Sequence, residues 1–184
     1  SGAAGFLQKS VQGSCKKKTA PPDGCSDVSR HERKYGVWKT GCFAAELALR
    51  CRNGEHIVII CGNNAKIERI LRKEFHFNKR VHIIGYTNHV SLFMDACDVI
   101  YTKPGGLTST ESLVKNIPIV HTAPIPGCET ANLQFFGARH LSVSSKHLAK
   151  QVQLGKALIE NDSLREQMSE AQRRERKPEA ASRS

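Results

Sequence analysis

The sequence lacks the signatures of metal, disulfide and serine-nucleophile chemistry. Its seven cysteines are odd in number and include no CxxC pair or regular spacing, which argues against a closed disulfide framework and a zinc ribbon. Its eight histidines include no HExxH, so no metal site is expected. No GxSxG occurs, and with it goes a serine–histidine–aspartate assignment. No apolar run approaches the roughly 18 residues that a membrane span requires. Residues 1–14 have no apolar h-region of a signal peptide. A cytoplasmic protein is the expectation, with a peripheral place at the cytoplasmic membrane face left open.

What is present fits a globular domain. The chain has 184 residues and 20.3 kDa, is 39% hydrophobic and 24% charged, and has a mean hydropathy of −0.40. Its formal net charge of +11 invites a nucleic-acid or anionic-membrane partner. The charge is uneven: residues 1–55 carry ten basic and five acidic groups, residues 172–184 five and two, and the 116 residues between them thirteen and ten. Most of the excess therefore lies in the flanks. The triplet Lys16 to Lys18 has no aromatic interleaving and no recognition motif accompanies it, so no nucleic-acid partner is expected. The basic flanks suit at most weak, salt-sensitive contact with an anionic membrane.

Residues 1–40 show almost no periodic apolar pattern, and residues 1–50 read as an irregular basic N-terminal region. A short helix is expected over 41–51. From residue 56 the character changes. HIVIIC (56–61) predicts a strand, Gly62 and Asn63-Asn64 a turn and cap, and the periodic Ile67, Ile70 and Leu71 a helix. Strands follow at 81–85, 98–101, 118–121 and 141–143, with helices expected near 89–96, 108–115 and 129–137, and a longer helical region from His147 to about Arg174. Apolar strands without alternation, separated by helices of about ten residues, predict an α/β fold with a Rossmann-like parallel sheet covered on both faces. It would occupy 51–171, ahead of a basic polar tail over 172–184. Cys61 and Cys97 are expected as buried thiols in that core.

In such a sheet the strand-to-helix loops share one edge, where ligands bind. Three loops there could carry chemistry. In YTKPGGLTSTE (101–111), Gly105 and Gly106 let the backbone approach a ligand, the following first-turn amides can receive an anion, and Glu111 can accept hydrogen bonds from sugar hydroxyls. This is neither GxGxxG nor a Walker motif, which argues against dinucleotide and P-loop ATPase chemistry. In HTAPIPGCETAN (121–132), two prolines and Gly127 make a rigid connection to a helix whose first turn offers Glu129 and Thr130 as hydrogen-bonding groups. In the third loop, backbone groups beside Gly85 and the Tyr86 ring could line a base pocket. His121, which ends a strand at this edge, is the histidine to watch.

Gly105-Gly106-Leu107-Thr108-Ser109-Thr110-Glu111 and Pro126-Gly127-Cys128-Glu129-Thr130-Ala131-Asn132 together resemble the donor-binding half of GT-B glycosyltransferases. Within them the likeness is to the group of diacylglycerol glucosyl- and galactosyltransferases and of the transferase that adds N-acetylglucosamine to lipid I. It covers about residues 55–171. The resemblance implies a UDP-hexose donor substrate, no cofactor, and inverting transfer to the hydroxyl of a membrane lipid such as diacylglycerol. It gives Gly106, Leu107 and Thr108 to the diphosphate, Glu111 to the ribose, Gly85 with Tyr86 to the uracil, and Glu129 and Asn132 to the transferred hexose. Gly105, Gly127 and Cys128 complete the expected donor-binding set. Cys128 stands where the diacylglycerol enzymes have Gln, and residues 26–55 show no counterpart of their Gly-Gly-x-x-Gly loop. The acceptor-binding half, with the catalytic base, is expected to be missing from this chain, so no catalytic residue is assigned. A nucleotide-sugar-binding accessory module is the alternative that these motifs also allow.

Overall fold

The computed structural model describes residues 5–9, 37–51, 54–122 and 128–176, with backbone alone for 5–9, 37–39 and 128. The strands are β1 (Gly5–Lys9), β2 (His56–Ile60), β3 (Val81–Ile84), β4 (Val99–Thr102), β5 (Ile119–His121) and β6 (Val143–Ser144). The helices are α1 (Val37–Arg50), α2 (Ala65–Glu74), α3 (Val90–Asp95), α4 (Gly106–Val114), α5 (Cys128–Ala138), α6 (Leu148–Glu160) and α7 (Asp162–Glu175).

The strands form one sheet in the order β3-β2-β1-β4-β5-β6. β2 and β3 are parallel, as are β4, β5 and β6. β1 lies between β2 and β4 and is antiparallel to both, so β2 and β4 point the same way. The five strands expected from the apolar runs therefore share one direction, and their C-terminal ends share one edge. The sixth strand was not expected. Gly5–Lys9 lies in the stretch read as irregular, and it satisfies the inner backbone edges of β2 and β4, which would otherwise be buried without partners.

Two further elements differ from expectation. The helix expected at 41–51 begins earlier, at Val37. The helical region from His147 is two helices, because Asn161 is extended (φ −118°, ψ 101°) and its side chain accepts from the Leu164 amide at 3.1 Å, capping α7.

Side-chain alternation along the strands divides the core between the two faces. Ile57, Ile59, Val99 and Tyr101 pack on one face with Phe43 and Leu71 of α1 and α2. Ile60, Ile100 and Ile119 pack on the other with Met94 and Phe136 of α3 and α5. This is the covered α/β sheet that the sequence predicts, with β1 inserted in it as an antiparallel strand. Its packing is tight at Gly155 of α6, where an added Cβ would stand 1.9 Å from the Tyr101 hydroxyl.

Candidate functional site

The turn between β4 and α4 is built from Lys103, Pro104 and Gly105. The Gly105 amide donates to the Lys103 carbonyl at 2.7 Å, and Gly105 precedes α4 in an extended conformation (φ −78°, ψ 152°) without any side-chain cap. Neither Gly105 nor Gly106 has positive φ, and a Cβ on either would meet no atom of the described residues within 4 Å. Neither strain nor internal packing demands glycine here. What the pair maintains is open space in front of a helix N-terminus whose first amides lack intrahelical acceptors and whose dipole end is positive. Leu107 is almost wholly exposed, and Thr108 and Glu111 are half-buried on α4.

The second motif is joined to this turn directly. Asn132 of α5 donates from Nδ2 to the Pro104 carbonyl at 3.0 Å, fixing α5 against the backbone just ahead of the two glycines. Glu129 is half-buried in the first turn of α5. Gly127 lies outside the described residues, and Cys128 is described in its backbone alone.

Beneath α4 lies a support that the motifs do not reveal. His121 is fully buried, with Nε2 2.9 Å from Ser109 Oγ and Nδ1 2.9 Å from Ser142 Oγ. Its ring also meets Phe136 edge-on at 5.2 Å. Burial pushes the His121 imidazole down to about 4, so at neutral pH it is uncharged and ties α4, β5 and the lead-in to β6 together. Its place at the end of a strand was visible in the sequence. The two serines flanking its ring come from sequence positions 12 and 21 residues away and carried no signal.

The third loop stands apart. β3 is separated from β4 by β2 and β1, three spacings or roughly 14 Å. Only an elongated ligand could touch both loops. Tyr86 is 74% exposed there. A Cβ on Gly85 would meet only the carboxylate end of Glu68, a flexible side chain of α2 that can shift aside. Cys61 is buried at the end of β2 and Cys97 is half-buried. Burial pushes their thiols up to about 11 and about 12 respectively, so both are protonated at neutral pH and neither is a poised nucleophile. Among the described residues, no three histidine, cysteine or acidic side chains are grouped to hold a metal ion. None of the described helices is long and apolar enough to cross a membrane.

No protein-family model matches the chain. It is 33% identical over 114 residues to the processive diacylglycerol beta-glucosyltransferase of Staphylococcus carnosus (strain TM300), covering 62% of this chain and 29% of that protein. For the enzyme of the same name from Staphylococcus aureus (strain Newman), identity is 39% over 80 residues, or 44% of this chain and 20% of that one. The chain thus spans under a third of the length of these curated relatives. Among solved structures it resembles the complex of Staphylococcus aureus MnaA with UDP, at a TM-score of 0.59 and 19% identity, over 78% of this chain and 38% of that one. It also resembles Anabaena HepE in complex with UDP and glucose, at 0.56 and 14%, over 74% and 39%. At these identities the solved structures speak for the fold alone.

Proposed function

From a chain that is one Rossmann-like half of a GT-B fold, related to the diacylglycerol glucosyltransferases, we propose that this domain binds a UDP-hexose as donor for transfer to a membrane-lipid hydroxyl, diacylglycerol or a close relative. The supporting observation is the Asn132–Pro104 hydrogen bond, which holds the two motifs at one place on the strand edge. The diphosphate lies over Gly105 and Gly106 against the free amides of Leu107 and Thr108. Glu111 accepts from the ribose, and the uracil reaches toward Gly85 and Tyr86. The hexose is assigned to Glu129 and Asn132. Departure of UDP leaves negative charge on the diphosphate, and amides fixed at a helix N-terminus stabilise that charge without reorganising.

Transfer also requires a general base within hydrogen-bond reach of the acceptor hydroxyl. His121 cannot serve, being buried and engaged at both ring nitrogens. The base and the pocket for the acceptor hydroxyl are assigned to an acceptor-binding half of the whole enzyme, with a peripheral place at the cytoplasmic membrane face. This chain alone is then expected to bind donor without appreciable turnover; robust transfer from UDP-hexose to diacylglycerol by the purified chain would contradict that.

Calorimetric titration with UDP, UDP-glucose, UDP-galactose and UDP-N-acetylglucosamine tests the site. Wild-type protein should bind, and Glu111→Ala should bind about tenfold or more weakly, the loss expected when charge-assisted bonds to two hydroxyls disappear. Equal affinities would remove Glu111 from the ribose, and no binding of any uridine nucleotide would remove the function.

A further inference from the structure

The net charge of the globular region is not spread over its surface. Residues 65–80, comprising α2 and the turn into β3, hold six basic and two acidic groups, whereas residues 56–171 as a whole hold thirteen and ten. One helix and its turn thus carry more positive charge than the entire region, and the remainder is slightly negative. Both acids lie off the outer stripe, Glu68 half-buried and Glu74 exposed on the side of the helix nearer α1. Glu68 bonds Arg72 Nε at 2.8 Å and lies against Gly85, and Glu74 points toward α1, where a Cβ on Gly41 would be 3.6 Å from its Oε2.

The outer stripe follows from helical spacing. α2 buries Ile67 and Leu71, which leaves Lys66, Arg69, Ile70 and Lys73 on the outward side at intervals of three and four residues. All four are exposed. The helix ends in a built turn, with the Asn78 amide donating to the Phe75 carbonyl at 2.9 Å and Asn78 Oδ1 accepting from the Arg80 amide at 3.1 Å. This turn presents Phe77 at 93% exposure, the highest of the large apolar side chains among the described residues, beside exposed Lys79. Arg72 and Arg80 are occupied, Arg80 by the Cys51 carbonyl at 2.6 Å. Arg69, Lys73 and Lys79 make no ion pair among the described residues.

We infer that the outer stripe of α2 and the Phe77 turn form a docking surface for an anionic lipid bilayer. Cations at headgroup level with an aromatic wedge beside them are what an interfacial surface requires. Ile70 favours a bilayer over a single-stranded nucleic acid, since an aliphatic side chain in the middle of the stripe offers no stacking platform for a base, and Phe77 alone would suit either. α2 connects the C-terminal edge of β2 to the N-terminal edge of β3, so it lies along the flank of the sheet. A bilayer against this flank leaves the edge bearing Gly105 and Gly106 uncovered. The surface shares no residue with the donor site and stands independently of the sugar-nucleotide assignment.

Co-sedimentation of the full chain with vesicles of phosphatidylglycerol and phosphatidylcholine, against phosphatidylcholine alone, tests it. Wild-type protein should partition onto the anionic vesicles only, with partition falling steeply as salt rises. Each cation removed among Arg69, Lys73 and Lys79 should lower the partition about fivefold, and Phe77→Trp should show blue-shifted emission on binding. Salt-insensitive partition of wild type, unchanged partition of R69E/K73E/K79E, or no blue shift would overturn the surface. So would loss, in the triple variant, of single-stranded RNA binding by a protein that ignores vesicles. Calorimetry with UDP on the triple variant keeps the two hypotheses apart: nucleotide binding should be unchanged, and its failure in wild type would count against the donor site alone.

Discussion

His121 shows how one residue can govern a site it never touches. Its two ring nitrogens engage Ser109 and Ser142 inside the protein, and Ser109 stands three residues beyond Gly106 on the helix that would receive the diphosphate. His121→Phe keeps the aromatic contact with Phe136 but strands two buried hydroxyls, at a cost of about 2–4 kcal/mol. Urea unfolding at pH 7 should show that loss, and adding Ser109→Ala and Ser142→Ala should recover most of it. The same residue dictates an acid sensitivity. Burial holds its folded value at about 4 against the ordinary 6.5, so the unfolded chain takes up a proton that the folded protein refuses. The stabilisation is complete above 6.5 and is lost as pH falls toward 4, amounting to about 3 kcal/mol across that window. The drop between pH 7 and pH 4.5, measured by urea midpoint, should be smaller in His121→Phe; an equal drop would assign acid lability to other groups.

At the scale of elements, two contacts between non-adjacent segments make testable demands. Asn132 joins α5 to the β4–α4 turn, so Asn132→Ala should weaken binding of UDP itself by roughly fivefold, the worth of one half-buried amide hydrogen bond. A residue that touched only the hexose would leave UDP affinity unchanged, and titration with UDP separates the two roles. Gly155 lets α6 lie on β4, and Gly155→Ala should cost about 1–3 kcal/mol through overpacking. Tyr101→Phe should not rescue it, since a ring carbon of Tyr101 would still stand 2.4 Å from the new Cβ. These contacts mark where sequence legibility stopped. Strands β2 to β5 were readable because each is a compact apolar run, and α2 because Asn64 and the Ile67–Leu71 spacing declare a capped amphipathic helix. β1 was not, because GFLQK has two large apolar residues and acquires its place from the backbone edges of β2 and β4. The break at Asn161 was carried by an Asn-Asp-Ser sequence inside a continuous helical periodicity, and only the extended backbone at Asn161 separates α6 from α7. In the site, the open glycine turn was legible as a motif, while the two serines that bind His121 lie far from it in sequence and were not.

For the molecule as a whole, the sheet order separates the proposed nucleotide site from the proposed membrane surface. The proposed nucleotide edge runs across β3 to β5 and would draw its anion affinity from backbone amides, which carry no net charge and need no basic cluster. Most of the +11 lies in the two terminal segments, and within 56–171 the positive charge concentrates on α2 and its turn, so the net charge says little about the proposed diphosphate site. A ligand lying along the edge would contact loops after β3, β4 and β5 at once and stabilise the sheet as a unit, provided it does not bind the unfolded chain. UDP at a hundred times its dissociation constant should then add about 2.7 kcal/mol, which for a domain of this size raises Tm by about 5–10 °C. Differential scanning fluorimetry should show that rise in wild type, and show it equally in R69E/K73E/K79E, whose substitutions lie off the edge. In Glu111→Ala the rise at the same UDP concentration should shrink, because weaker binding lowers the ratio of ligand to dissociation constant. A full rise in Glu111→Ala would place the nucleotide elsewhere on the protein, and the edge would lose its ligand.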